Sequence, residues 1–234
     1  MSRFLASVSD LQEAQLVLPY ADILDLKNPA QGALGALALE VIEAIVRYVD
    51  GRKPISATIG DLPMEPKTVL AAIQAVAATG VDIVKVGMFP GEQLACIDAV
   101  KSITASGTKV VAVLFADSPQ AALPLSMFRE AGFYGVMLDT AVKDGSSLLD
   151  HQDLHALQAF VHETNELGLV SGLAGALRLP HVEKLSGLQA DYLGFRSALC
   201  HLSNRTATIS ESQVSTVQQL LFKCNIALKG ALAI

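Results

Sequence analysis

The chain has 234 residues, enough for one large domain or two small ones. Hydrophobic residues make up 51% and charged residues 17%, with a net charge of −6 and no basic run, which argues against nucleic acid and anionic membrane as partners. Cys96, Cys200 and Cys224 lack CxxC spacing, which excludes a disulfide frame and a cysteine-based zinc site and points to a reducing compartment, the cytoplasm. The segment MSRFLASVSD has too short an apolar stretch for a signal peptide, and no apolar run approaches the roughly 20 residues that span a bilayer.

Arg3 to Val8 reads as a first strand. Ser9, with Gln12 three residues on, opens a helix to about Tyr20. Asp22 to Lys27 is the second strand, stopped by Asn28-Pro29, and Leu34 to Val49 carries a helical apolar period ended by Asp50-Gly51. Ile55 to Ile59 is the third strand; Pro66 starts a helix to Thr79-Gly80. Asp82 to Val86 is the fourth strand, followed by a helix from Gly91 to Ser106. Lys109 to Phe115 is the plainest strand, and Pro119 opens a helix to Ala131 with Gly132 behind it. Tyr134 to Leu138 is the sixth strand, before a long helix capped by Asp150 and ending at Leu167-Gly168. Leu169 to Ser171 is a short seventh strand, with a helix from Leu179-Pro180. Asp191 to Gly194 is the eighth, and Ser210 with Gln213 pairs before the last helix.

Eight strands alternating with eight helices predict a parallel α/β fold. A (β/α)8 TIM barrel needs roughly 250 residues, so a single barrel domain takes the whole chain, 1–234. Strands buried on both faces explain part of the apolar surplus. The C-terminal NIALKGALAI accounts for more of it, either packed on its own barrel or as the contact of a homo-oligomer.

In such a barrel the strand C-termini converge on one mouth. Lys27 ends ADILDLK, and Asp25 lies two residues earlier on the same strand face. Facing the mouth they can pair and stay partly hydrated; the bland alternative is a salt-bridged rim pair. Lys85 closes a second apolar strand, and inward side chains of alternate strands share a layer. Two amines in one mouth disfavour each other's protonation, as does burial, and a neutral amine attacks a carbonyl or takes a proton. Asp139 ends the sixth strand, with Lys143, Asp144 and Gly145 beyond it; it suits a general acid or base as well as a loop brace. Gly172 to Gly175, and Gly194, Phe195, Arg196 and Ser197, follow the last two strands, where barrels often bind phosphate. Arg196 there offers a forked contact. Ser56, Thr58, Gly60, Asp61 and Asp117 are further candidates for lining the mouth. His151, His155 and His162 sit on an exterior helix, so no metal site is expected.

The blocks DILDLKNPAQGALGA, SATIGDLP, DIVKVG, MLDTAVKDG, SGLAG and GFRSALC, taken together, resemble the (5-formylfuran-3-yl)methyl phosphate synthases, also called 4-(hydroxymethyl)-2-furancarboxaldehyde-phosphate synthases. The resemblance runs over nearly the whole chain. It implies a TIM barrel without a cofactor that condenses two glyceraldehyde 3-phosphate molecules into a phosphorylated furan aldehyde, a carbon–oxygen lyase reaction losing phosphate and water. It also implies that Lys27 forms a Schiff base, that Lys85 accepts a proton, and that Asp139 and Lys143 complete the catalytic set. The family serves methanofuran biosynthesis or that of a related bacterial carrier. The same residues also suit a Schiff-base aldolase or isomerase, or a non-catalytic barrel that binds a phosphorylated metabolite.

Overall fold

The computed structural model describes residues 1–118 and 123–232. Eight parallel strands close a barrel in chain order, β1 (Arg3–Val8), β2 (Ile23–Leu26), β3 (Ile55–Thr58), β4 (Ile83–Gly87), β5 (Lys109–Phe115), β6 (Gly135–Asp139), β7 (Val170–Leu173) and β8 (Tyr192–Phe195), with β8 paired back onto β1. Between them run α1 (Leu11–Val17), α2 (Leu39–Val49), α3 (Pro66–Ala78), α4 (Gln93–Thr104), α5 (Leu125–Glu130), α6 (Leu148–His151), α7 (Leu154–Glu166) and α8 (Leu179–Ser186). α9 (Glu211–Leu232) follows two short 3-10 turns, Ser197–Leu199 and His201–Ser203. The expected α/β TIM barrel is the fold found.

Strand alternation divides the core in two. Phe4, Ala6 and Val8 of β1 face the helices, while Leu5 of β1, Ile23 of β2, Ile83 of β4, Val111 of β5, Met137 of β6 and Tyr192 of β8 fill the barrel interior. Each fully buried Leu, Ile or Phe contributes about 1.5–3 kcal/mol. These apolar inner residues close the floor; nearer the strand C-termini the inner positions of β1, β2, β3, β4 and β6 carry polar side chains, while β5 keeps Val113 and Phe115. The fold therefore confines its buried charge to one end.

Several boundaries differ from the sequence reading for local reasons. α1 is capped by Asp10, whose carboxylate accepts from Glu13 N–H at 2.8 Å. The residue that reaches back to Ser9 is Glu13, not Gln12. α2 begins at Leu39 rather than Leu34, because the Asp61 carboxylate takes the Ala33 and Leu34 N–H groups at 2.7 Å each and holds that stretch as a loop. Asp150 belongs to the short α6, where it pairs with Ser147; α7 is capped by Asp153. The first residues of the helix expected from Pro119 lie outside the described residues, and α5 runs from Leu125. β7 extends through Gly172 to Leu173, two residues past its expected end. Ser210 meets the Ser212 hydroxyl at 2.9 Å instead of closing a cap with Gln213.

Along α9, Phe222 and Ile226 stand exposed. Among the described residues no helix is long and apolar enough to cross a membrane.

Candidate active site

Register brings the first cluster together. Ser7 on β1 pairs with Asp25 on β2, which pairs with Ser56 on β3, so three inward side chains stand side by side. The buried Asp25 carboxylate accepts from Ser7 Oγ at 3.0 Å, Ser56 Oγ at 2.7 Å and Lys85 Nζ at 2.9 Å. Lys85 lies in the middle of β4, deeper than a strand-end position. Burial alone would raise the Asp25 carboxyl; the charges of Lys85 and Lys27 and the hydrogen bonds overcome it and hold the group below the usual carboxylate range.

A second cluster sits one layer higher. Lys27 follows the last residue of β2, and its Nζ lies 3.8 Å from Asp139 Oδ2 at the end of β6. Lys143 Nζ is 3.1 Å from the other Asp139 oxygen and also donates to the Thr140 carbonyl. Asp139 accepts the Thr140 N–H at 2.7 Å as well. Against the upward pull of burial, Lys143 and Lys27 bring the Asp139 carboxyl down to about 2.

Lys27 is only 7% exposed. Burial lowers its amine from 10.5 to about 8, opposed by Asp139 and Asp25 and assisted by Lys143 and Lys85. Roughly a tenth of it is then neutral near pH 7, about 200 times more than for a free lysine. Its ion pair with Asp139 is also the longer one, whereas Lys85 is locked on Asp25. Of the three lysines at the mouth, Lys27 is therefore the one whose chemistry suits a nucleophile.

Both clusters open into one cavity of about 260 Å3, lined also by Gly175, Ala176, Gly194, Ser197, Asn204 and Arg205. Gly194 faces inward on β8, where a Cβ would come within 3.0 Å of Met137 Cε. Gly175 has φ +106° and Ala176 φ +44°. Among the described residues their N–H groups meet no acceptor, which leaves a small concavity of donors at the β7 end.

Two expected phosphate residues are placed differently. Gly172 lies inside β7 and borders a separate cavity of about 30 Å3 in the barrel floor, below the mouth. Arg196 lines the cavity, but its guanidinium is taken up elsewhere. It forms a two-pronged pair with Glu13 of α1 and donates to the carbonyls of Ser7, Arg205 and Ala207. The forked contact read from the sequence thus goes to a carboxylate, and it pins the 205–207 loop to the barrel. Arg196→Lys should cost about 1–2 kcal/mol, because an ammonium replaces only part of this set. A urea midpoint unchanged from wild type would show that the brace is not needed.

The other candidates act as braces. Thr58 Oγ1 donates to the Gly35 carbonyl at 3.0 Å, Asp61 holds the β2–α2 loop as described, and Asp117 accepts from Ala141 and Val142 N–H at 2.8 and 2.7 Å. Ser7 and Arg205 were missed. Ser7 could have been found from its inward parity with Leu5 at the end of β1; Arg205 stands out only as a cation in the loop after β8. His151, His155 and His162 are exposed.

Comparison with known proteins places the chain in a family. The 4-HFC-P synthase family profile matches residues 4–218, which span every residue of both clusters. The chain belongs to the 4-HFC-P synthase family. It is accordingly an enzyme. A Methylorubrum extorquens relative, provisionally named a (5-formylfuran-3-yl)methyl phosphate synthase, is 40% identical over 214 residues, covering 91% of this chain and 89% of that one. The (5-formylfuran-3-yl)methyl phosphate synthase of Methanococcus aeolicus is 36% identical over 230 residues, covering 92% and 98%. Among solved structures, a 3-hexulose-6-phosphate synthase superposes with a TM-score of 0.69 at 18% identity, covering 94% of this chain and 99% of that one, a likeness of fold.

Proposed function

We propose that this 4-HFC-P synthase family member condenses two molecules of glyceraldehyde 3-phosphate into (5-formylfuran-3-yl)methyl phosphate through an imine on Lys27, in the cytoplasm and for a methanofuran-type carrier. The observation that carries the reading is the Lys27 amine, buried beside Asp139 and lowered to about 8. The names of the relatives support the product.

Lys27 adds to the carbonyl of the first triose and water leaves. The protonated imine draws electrons from the neighbouring carbon and acidifies its C–H. Lys85, held by Asp25 beneath, takes that proton in the turnover form in which it has first given up its own, and the enamine attacks the aldehyde of the second triose. Lys143 and Asp139, in contact at 3.1 Å, handle the proton transfers of phosphate elimination, ring closure and dehydration, and water then cleaves the C–N bond to release the furan aldehyde and restore the Lys27 amine. Two trioses give one furan phosphate, one inorganic phosphate and two waters, with no oxidant or reductant, so the steps need acid–base groups alone. On this account the reaction is that of a carbon–oxygen lyase acting on phosphates. The retained phosphate sits against the Gly175–Ala176 donors and Ser197.

The test is to incubate pure protein with glyceraldehyde 3-phosphate without metal or nucleotide. A phosphorylated furan aldehyde by mass and ultraviolet absorption, with one inorganic phosphate per product, is expected. An acyclic adduct without phosphate release would replace this reading with an aldolase.

Two further results are expected. Because the neutral Lys27 fraction grows as pH rises through about 8, the rate of imine formation should climb across that range and level off above it. A rate already flat between pH 6 and 9, measured by rapid quench into borohydride, would contradict this. Gly175→Ala would force a Cβ to 3.0 Å from Thr140 Cγ2 at a φ of +106°. It should cost about 1–3 kcal/mol and raise KM for the phosphorylated triose. An unchanged KM would move the retained phosphate elsewhere.

A further inference from the structure

The proposed reaction brings two phosphate dianions into one cavity, while the β7–β8 end offers donors for one. We infer that Arg205 is the second phosphate anchor, holding the triose that the enamine attacks; this rests on the reaction proposed above.

The cavity wall carries five cations. Lys27 and Lys143 are paired with Asp139, Lys85 with Asp25 and Arg196 with Glu13. Arg205 alone has no carboxylate within ion-pair distance among the described residues. Its Nη1 and Nη2 share a single carbonyl, that of Gly32, at 3.3 Å each. A guanidinium has five N–H donors, so most of the fork remains free for phosphate oxygens.

Its placement is built. Arg196 Nε donates to the Arg205 carbonyl at 2.8 Å, and Arg196 Nη2 donates to that of Ala207 at 3.3 Å, so the loop carrying Arg205 is fixed from below by a side chain spent on that task. Asn204 Oδ1 accepts from Thr206 N–H and Oγ1, closing the turn around Arg205. The loop leaves β8, passes β1 and reaches the β2–α2 loop at Gly32. At Gly32 any Cβ would fall 1.9 Å from Asp61 Oδ2, so the carbonyl that steadies Arg205 depends on a residue without a side chain. Arg205 thus meets the loop after β2, the strand that leads into Lys27, while the Gly175–Ala176 donors follow β7. The two anchors stand at different strand ends of one cavity, as two phosphorylated trioses meeting at one imine require.

The protein should be titrated calorimetrically with glycerol 3-phosphate, which has no carbonyl and cannot form an imine. Wild type is expected to bind two equivalents per chain. Arg205→Gln should bind one, the other being weakened at least ~10-fold, and Arg205→Lys should lie between them. Arg205→Gln should still yield the borohydride adduct with glyceraldehyde 3-phosphate, which shows a folded mouth, while furan formation falls by about 100-fold or more. Two equivalents bound by Arg205→Gln within threefold of wild type would overturn the inference. So would a single equivalent on wild type, or loss of the borohydride adduct together with both sites, which would make Arg205 a structural residue. Two equivalents on a wild-type enzyme that makes no furan would leave this anchor standing and remove the proposed reaction instead.

Discussion

Lys27→Ala is expected to abolish the borohydride-trapped adduct and to lower furan formation by on the order of 10⁴-fold, to background. The size follows from the role: without the amine there is no electron sink next to the carbon that must lose its proton, and no neighbouring group replaces it. Lys85 is held on Asp25 at 2.9 Å and Lys143 on Asp139 at 3.1 Å, each aimed at a carboxylate. The substitution should leave folding intact. Asp139 keeps Lys143 and the Thr140 N–H as partners, so no buried carboxylate is stranded. A melting temperature at or above that of wild type, with the chemistry gone, separates loss of a nucleophile from loss of structure. Lys27→Arg keeps the charge beside Asp139 but forms no imine, and should be as inactive as the alanine variant. Activity in either variant within 10-fold of wild type would refute the imine.

Asp25→Asn should produce the largest loss of stability. Its carboxylate is buried and serves Ser7, Ser56 and Lys85 together. Neutralising it leaves the Lys85 ammonium inside the barrel without a counter-charge, which costs about 3–5 kcal/mol. Ser7→Ala removes one hydrogen bond from the same carboxylate and should cost about 1 kcal/mol. Asp25→Asn with Lys85→Met should recover much of the loss, because the stranded charge goes with its partner. Urea unfolding of wild type, Asp25→Asn, Lys85→Met and the double variant reads the cycle. A cost below 1 kcal/mol for Asp25→Asn would mean that the pair is not a buried ion pair in solution.

The barrel was legible because parallel strands buried on both faces leave unbroken apolar runs such as KVVAVLF, and because glycine, proline and capping residues punctuate them. The four central residues were legible because Lys27, Lys85 and Asp139 interrupt or end such runs, where a charge has only the mouth to face, and Lys143 follows one turn beyond. Arg196 was read from its place after β8, yet its guanidinium is claimed by Glu13, 183 positions away, a partner that no local pattern reveals. The sequence places Gly172 in a loop because a run of small residues looks like a turn. In the barrel it is a strand residue, and a Cβ there would meet Met137 at 2.9 Å. The start of α2 was misplaced for the same kind of reason: the side chain that unwinds Ala33 and Leu34 is Asp61, in the loop after the next strand.

The most direct test of the central claim is to locate the bond between enzyme and substrate. Wild-type protein should be reduced with borohydride in the presence of glyceraldehyde 3-phosphate, digested, and mapped by mass spectrometry. One triose phosphate increment on the peptide containing Lys27, and none on those containing Lys85 or Lys143, is the predicted result. An increment on Lys85 or Lys143, or no adduct at all, would contradict the assignment of the buried Lys27 amine as the nucleophile.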